Sequence, residues 1–291
     1  MKKIIVSISV MLLWITACTH TGLRSNHVAF GDHNIHYLTC GNSDKTLVFI
    51  HGWTSNALVW KYQLEAFPGY KVIAIDLPGN GKSSKNMKAE YTMELFADGV
   101  ARVLKTEKIN QAFFLGHSMG FAVAEVIAVR YPDLCAGLAS IDGAHFVVPD
   151  DPKAREEWLQ FNQQMADGMV AEQGREEFLN MLLLPDTPAL LKAEMLAGSR
   201  EVPLTIGKSM IEGVGKDVKY WNQQVANLPC LAIYGPVYQL TPKDKQDFMD
   251  QYPRAEYHEL QGVSHFFMLE RPYQINQIIT DYLNQHYPTV R

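Results

Sequence analysis

The stretch AFFLGHSMGFAVAEVIAVRYP, residues 112–132, decides the fold. It begins with an apolar run of strand length, continues through GHSMG and ends in a longer apolar run that predicts a helix. Gly116 and Gly120 permit a tight strand-to-helix turn, because glycine adopts backbone conformations that other residues avoid. Such a turn lifts the hydroxyl of Ser118 clear of the sheet, beside the N-terminal amides of the helix. The motif therefore predicts a nucleophilic serine, and we interpret His117, within the turn, as structural.

Short apolar runs recur along the chain and alternate with longer helical patterns. They are HVAF and IHYLTCG on either side of a GDHN turn, TLVFI (46–50), KVIAI (71–75), LASID (138–142), CLAIYG (230–235) and AEYHEL (255–260). A hairpin followed by such alternation predicts the α/β fold class, with a mostly parallel sheet flanked by helices.

The strand pattern disappears over residues 146–217, where helical patterns such as KAREEWLQFNQQMADGMVAEQ take over. We interpret this segment as a helical cap inserted into an α/β core, whose two parts are residues 27–145 and 218–291. Five methionines in the cap suit an adaptable apolar surface, or they simply pack the cap against the core.

The composition narrows the class of partner. A chain of 291 residues with 47% hydrophobic and 20% charged residues can bury a large core. Its net charge of -5 comes without long runs of like charge, so the sequence lacks the basic surface that nucleic-acid binding requires. We therefore expect a small or apolar partner and no nucleic acid.

The N-terminus has the pattern of a secretory signal peptide, predicted here as residues 1–17. Two lysines precede an apolar run over residues 4–15, which is too short for a stable membrane span. The segment ITAC resembles the bacterial lipobox, and this resemblance implies a lipid anchor at Cys18 with residues 18–26 as a tether. The implied location is the bacterial cell envelope, bound to a membrane. Ordinary secretion with an incidental cysteine is the alternative.

Three further cysteines, Cys40, Cys135 and Cys230, lie on or beside apolar runs. Their odd number and positions predict buried thiols rather than a disulfide framework. None of them has the spacing of a zinc site, and the ten histidines are scattered. The sequence therefore predicts neither a metal nor a cofactor.

Three other motifs, FIHGWTSNALVW, DLPGNGKSS and LQGVSHFFMLERP, resemble the α/β-hydrolase superfamily together with the serine turn. The resemblance covers nearly the whole chain after the signal peptide and implies an eight-stranded, mostly parallel sheet. It assigns the general base to His265, and the two amides of an oxyanion hole to Trp53 and Met119. It also implies that Asp76, which opens DLPGNGKSS, organises a loop rather than acting as the catalytic acid.

The chain departs from the superfamily at the position of the acid. That family usually presents its acid after the seventh strand in a G-x-x-D-x-x-x-P pattern. Gly235 and Pro242 fit this pattern here, but Tyr238 occupies the place of the acid. A phenol with a pKa near 10 cannot supply the carboxylate that orients the histidine.

Asp142 is the predicted replacement, because it ends the strand that follows the serine strand along the chain. Some members of the superfamily present their acid from this sixth strand, which lies beside the strand of the nucleophile. Asp244 and Asp247, beyond Pro242, are the alternatives. The alternative interpretation is that Asp142 only stabilises the turn that leads into the helical cap.

The predicted function is a serine carboxylic-ester hydrolase that acts through an acyl-enzyme on a small or apolar acyl substrate. Serine at the turn argues against dehalogenases and epoxide hydrolases, which use an aspartate there. A proline-type aminopeptidase or a C–C bond hydrolase on the same core is an alternative. A binding protein that has lost catalysis is another, because Tyr238 replaces the usual acid.

Overall fold

The structure, a computed structural model, describes residues 22–169, 171–223, 225, 227–237 and 240–289. The predicted signal peptide, Cys18 and Tyr238 lie outside these residues. The strands are β1 (Arg24–Phe30), β2 (His33–Cys40), β3 (Thr46–Ile50), β4 (Lys71–Ile75), β5 (Ala112–His117), β6 (Cys135–Ile141), β7 (Cys230–Tyr234) and β8 (Ala255–Glu259). They form one sheet in the order β1-β2-β4-β3-β5-β6-β7-β8. β1 pairs antiparallel with β2, and β2 pairs antiparallel with β4. All the other pairs are parallel.

Helices flank this sheet. They are α1 (Met93–Thr106), α2 (Met119–Arg130), α3 (Pro152–Gly168), α4 (Glu172–Met181), α5 (Ala189–Arg200), α6 (Leu204–Lys216), α7 (Pro242–Gln251), α8 (Phe267–Glu270) and α9 (Pro272–His286). The predicted eight-stranded, mostly parallel sheet with flanking helices is thus confirmed. Helices α3–α6, here called the inserted helices, lie between β6 and β7, while the domain limits stay a prediction.

The central strands are continuous apolar runs because the sheet is covered on both faces. Every residue of β3 is buried, and so is every residue of β5. α2 packs against one face and is buried along nearly its whole length, as its uniformly apolar sequence predicts. Trp60 and Phe67 cover the other face through contacts with the ring of Phe49. This burial fixes the serine turn between two well-packed elements.

Parallel pairing places the carboxyl ends of β3, β5, β6 and β7 along one edge of the sheet. The segments that leave this edge begin at His51, Ser118, Asp142 and Gly235. In open α/β sheets, ligands bind outside the carboxyl ends of the strands. The predicted site residues on these segments are therefore neighbours in space.

Two further features concern the rest of the chain. Cys40, Cys135 and Cys230 are all buried, as predicted. Across the described residues, every helix is too short or too polar to cross a membrane.

Candidate active site

Ser118 occupies a strained turn between β5 and α2. Its φ of 52° lies in the left-handed region, which is costly for a residue with a side chain. A Cβ added at Gly116 would lie 2.4 Å from the carbonyl oxygen of Gly120, and one added at Gly120 would lie 2.3 Å from that of Ile50. Neither position tolerates a side chain, so both glycines of the motif are required for the close approach of α2 to the sheet.

Asp142 and His265 form a buried acid–base pair beside this turn. The Nδ1 atom of His265 donates a hydrogen bond to Oδ2 of Asp142 at 2.6 Å. The backbone N–H of Gly235 donates to the other carboxylate oxygen, Oδ1, at 2.8 Å. Both oxygens of Asp142 are therefore occupied, and Nδ1 of His265 holds its proton. In a neutral ring, this tautomer leaves the lone pair on Nε2, as a general base requires.

Ser118, His265, Trp53 and Met119 line one cavity of about 580 Å³. Gly52 also lines it, and a Cβ added there would lie 2.9 Å from Cβ of Ser118. Within the described residues, the backbone N–H groups of Trp53 and Met119 donate no backbone hydrogen bonds. The structure thus brings the predicted base, the serine and both predicted amides to one cavity.

The alpha/beta hydrolase fold family matches residues 45–272. This chain belongs to that family.

Several proteins are similar over most of this hydrolase. The pimeloyl-(acyl-carrier protein) methyl ester esterase of Yersinia enterocolitica is 28% identical over 86% of this chain and 98% of the relative. Epoxide hydrolase 3 of Xenopus tropicalis is 24% identical over 92% of this chain and 76% of that protein. A solved thermophilic esterase from Thermogutta terrifontis has a TM-score of 0.74 at 20% identity, covering 90% of this chain and 99% of that chain. This last likeness concerns the fold.

Buried polar groups support the turn of this hydrolase that contains His51 and Gly52. Nδ1 of His51 donates to the carbonyl of Gly52 at 2.7 Å. Asp76 accepts a hydrogen bond from the N–H of Ala57 at 2.6 Å and another from Nδ1 of His36 at 2.7 Å. Burial by itself raises the pKa of Asp76, but these hydrogen bonds and the nearby His51 lower it below its ordinary value. Asp76 therefore binds this loop as a carboxylate, and it is not among the described residues that line the cavity of Ser118.

The same turn also contacts the inserted helices. The indole N–H of Trp53 donates to the carbonyl of Gly207 on α6 at 2.8 Å, and its ring lies edge-on to Phe178 of α4. The hydroxyls of Thr54 and Ser199 lie 2.7 Å apart, which joins the turn to α5. The segment that carries one predicted oxyanion amide is thus fixed by three of the four inserted helices.

His117 packs against His265, the predicted base, and supports its backbone. Its Nε2 donates to the backbone carbonyl of His265 at 3.0 Å, and the two ring centroids are 4.4 Å apart. Burial, and secondarily the neighbouring His265, hold the pKa of His117 well below its ordinary value. A neutral His117 that supports the backbone of His265 agrees with its interpretation as structural.

The two alternative acids have other roles in the structure. Asp244 is exposed and caps α7, where its Oδ2 accepts from the backbone and hydroxyl of Thr241. Asp247 accepts from Lys243 one helical turn away. Although Asp244 lines the cavity, Nδ1 of His265 is bonded to Asp142.

One buried polar cluster near the site was not predicted from the sequence. Glu125 of α2 accepts hydrogen bonds from Nδ1 of His145 and from the hydroxyl of Tyr252, both at 2.8 Å. Since His145 follows Asp142 by three residues, this cluster attaches the loop after Asp142 to α2. A lone glutamate within the apolar run AVAEVIAV was the available signal, because a buried acid requires partners.

Proposed function

We propose that this hydrolase cleaves carboxylic esters through an acyl-enzyme. Ser118 is the nucleophile, His265 the general base and Asp142 the acid that orients it. The observation that carries the proposal is the 2.6 Å contact between His265 and Asp142 at the cavity that Ser118 lines. A buried carboxylate that fixes the Nδ1–H tautomer gives the base the form that serine activation requires.

The reaction follows from this arrangement. The hydroxyl of Ser118 attacks the ester carbonyl while Nε2 of His265 takes its proton. The tetrahedral oxyanion lies at the N–H groups of Trp53 and Met119, and each such donor stabilises it by about 3 kcal/mol. His265 then gives the proton to the departing alcohol. Water attacks the acyl-enzyme through the same base and releases the acid.

The cavity favours an uncharged, apolar acyl group. Most of its lining is aromatic or aliphatic, from the inserted helices and from the loops beside β6 and β7; these residues include Phe146, Trp158, Met165, Phe178, Met210 and Leu240. No lysine or arginine occurs among the described residues that line it. A volume of about 580 Å³ is in the range of sites for small ligands. We propose that the inserted helices cover this substrate as a cap.

The relatives support an ester substrate in different degrees. Two of the similar proteins are esterases, and one of these acts on a methyl ester. The third is an epoxide hydrolase. The superfamily resemblance implies an aspartate in that class where this chain has Ser118. Peptide hydrolysis has less support, since the cavity lining holds only one acidic side chain, Asp244, among the described residues.

We also propose that the mature protein is anchored by lipid at Cys18 and is located in the bacterial cell envelope. The support is the similarity of ITAC to the lipobox, directly after an apolar run that two lysines precede.

Labelling with a fluorophosphonate probe tests the serine hydrolase directly. We expect covalent labelling of the wild type and none of Ser118→Ala. Ser43→Ala, on the loop before β3, is the matched control and should label fully. An unlabelled wild type, or a labelled Ser118→Ala, refutes the proposal. A panel of p-nitrophenyl esters and anilides of increasing acyl length then separates an esterase from an aminopeptidase.

A further inference from the structure

A closed ring of hydrogen bonds joins the backbone of Gly143, the residue after Asp142, to the hydroxyls of Ser140 and Tyr234. The N–H of Gly143 donates to the hydroxyl of Ser140 at 3.2 Å, and this hydroxyl donates to that of Tyr234 at 2.9 Å. The hydroxyl of Tyr234 donates in turn to the carbonyl of Gly143 at 3.1 Å. Ser140 is 0% and Tyr234 1% exposed, so water does not compete for these groups.

This ring holds a backbone conformation that is costly by itself. Asp142 has a φ of 46°, in the left-handed region, which is unfavourable for most residues with a side chain. Such strain persists only where the surroundings determine the conformation. The ring supplies this restraint, and it requires glycine, because a Cβ at Gly143 would lie 2.4 Å from the hydroxyl oxygen of Ser140.

Three consecutive residues of the β7 end contribute to the same turn. The carbonyl of Ile233 accepts from the N–H of Asp142 at 2.8 Å. Tyr234 holds the next peptide through its hydroxyl, and the N–H of Gly235 binds Oδ1 of Asp142. In the usual superfamily pattern, the end of β7 presents the acid itself. In this chain the end of β7 instead supports Asp142, which follows β6.

We propose that the Tyr234 hydroxyl is a positioning group that holds Asp142 in the orientation His265 requires. This inference rests on the proposed function, since it needs Asp142 to act through His265. The aromatic ring of Tyr234 has a separate role in packing: it stacks on Tyr257 with centroids 5.5 Å apart. Replacement by phenylalanine therefore keeps the packing and removes only the hydroxyl.

Tyr234→Phe should lower kcat about ten-fold, because it leaves the buried carbonyl of Gly143 without its donor. KM should change less than about two-fold, since Tyr234 does not line the cavity. Tyr282→Phe is the matched control: within the described residues its hydroxyl is buried without a hydrogen-bond partner. We expect this control to keep the wild-type kcat.

A double-mutant cycle separates positioning from a general effect on the fold. If Tyr234 acts through Asp142, Tyr234→Phe should cost nothing further in an Asp142→Asn background. An equal loss of kcat in both backgrounds, or a rise in KM alone, overturns the inference. Should Tyr234→Phe not fold, Ser140→Ala opens the same ring and must show the same dependence on Asp142. A wild type without fluorophosphonate labelling refutes the proposed function instead, whereas an active wild type with an unchanged Tyr234→Phe refutes only the positioning role.

Discussion

Nδ1 of His265 and Oδ2 of Asp142 lie 2.6 Å apart although 123 positions separate the two residues in the chain. The contact is made at the end of β6, the strand directly beside β5, which leads into Ser118. Both side chains are withdrawn from water, so the hydrogen bond is not weakened by solvent. In the proposed mechanism, this contact replaces an acid after β7, where the sequence has Tyr238.

Asp142→Asn should lower kcat by about four orders of magnitude with little change in KM. The N–H of Gly235 donates to the Oδ1 position, which therefore takes the amide oxygen of the asparagine. The NH₂ group of the asparagine then faces Nδ1 of His265 and donates to it. The proton of the neutral ring must therefore lie on Nε2, and a protonated Nε2 cannot act as a base. Hydrolysis of a short p-nitrophenyl ester measures this loss.

Asp244→Asn is the matched control for that variant. Its carboxylate is exposed and caps α7, so we expect kcat within about two-fold of the wild type. The reverse ranking of the two variants would assign the acid to α7 and contradict the geometry described above.

Stability should fall as the pH decreases below about 6.5 because of two buried histidines. Burial lowers the pKa of His51 and of His117 below the value of about 6.5 that a histidine has in the unfolded chain. The unfolded chain therefore binds more protons below pH 6.5, so the free energy of unfolding declines with decreasing pH. Each histidine contributes at most about 1.4 kcal/mol per pH unit.

Urea unfolding at pH 7.5 and pH 5.5 measures this decline. His117→Gln can place its amide N–H near the position of Nε2, which donates to the carbonyl of His265, and it does not titrate. This variant should therefore reduce the difference between the two pH values. An unchanged pH dependence in this variant would show that His117 takes up its proton in the folded state.

The sequence predicted the fold closely where burial is uniform. TLVFI and KVIAI coincide with β3 and β4, because strands covered on both faces are continuous apolar runs. The contact of Asp142 with His265 agrees with the expectation from the superfamily resemblance and from strand adjacency, while the role of Asp142 as the acid stays a prediction. The contact of Tyr234 with Ser140, across 94 positions, and that of Trp53 with Gly207, across 154, could not be predicted from the sequence. Such contacts depend on side-chain directions after packing, and local patterns do not encode these directions.

An acyl group that ends in a carboxylate should be a poor substrate. The described lining of the cavity holds no lysine or arginine and includes Asp244, so a bound carboxylate would lose water without gaining a partner. For p-nitrophenyl esters of equal chain length, we expect KM at least about ten-fold higher for the carboxylate than for the methyl terminus. Leu240→Arg adds a cation to the lining and should reduce this difference, and equal KM values in the wild type would contradict the prediction.

The predicted lipid anchor should leave the active site open to the aqueous phase. β1 is antiparallel to β2, and β2 is antiparallel to β4, so β1 runs in the direction of the parallel strands. Arg24, the first residue of β1, therefore lies at the amino edge of the sheet, whereas Ser118 lies just beyond the carboxyl edge. Five residues between Cys18 and Arg24 span at most about 20 Å, so a lipid at Cys18 holds the amino edge near the membrane.

A lipidated protein on vesicles tests this orientation against a soluble form made by Cys18→Ser without the signal peptide. We expect the two forms to hydrolyse a water-soluble short ester with equal kcat/KM, because the cavity faces away from the bilayer. The anchored form should not release fatty acid from phospholipids of its own vesicle. Release of fatty acid, or loss of soluble-ester hydrolysis on anchoring, would place the cavity against the membrane. Recovery of the wild type, but not of Cys18→Ser, in the membrane fraction of cells checks the anchor itself.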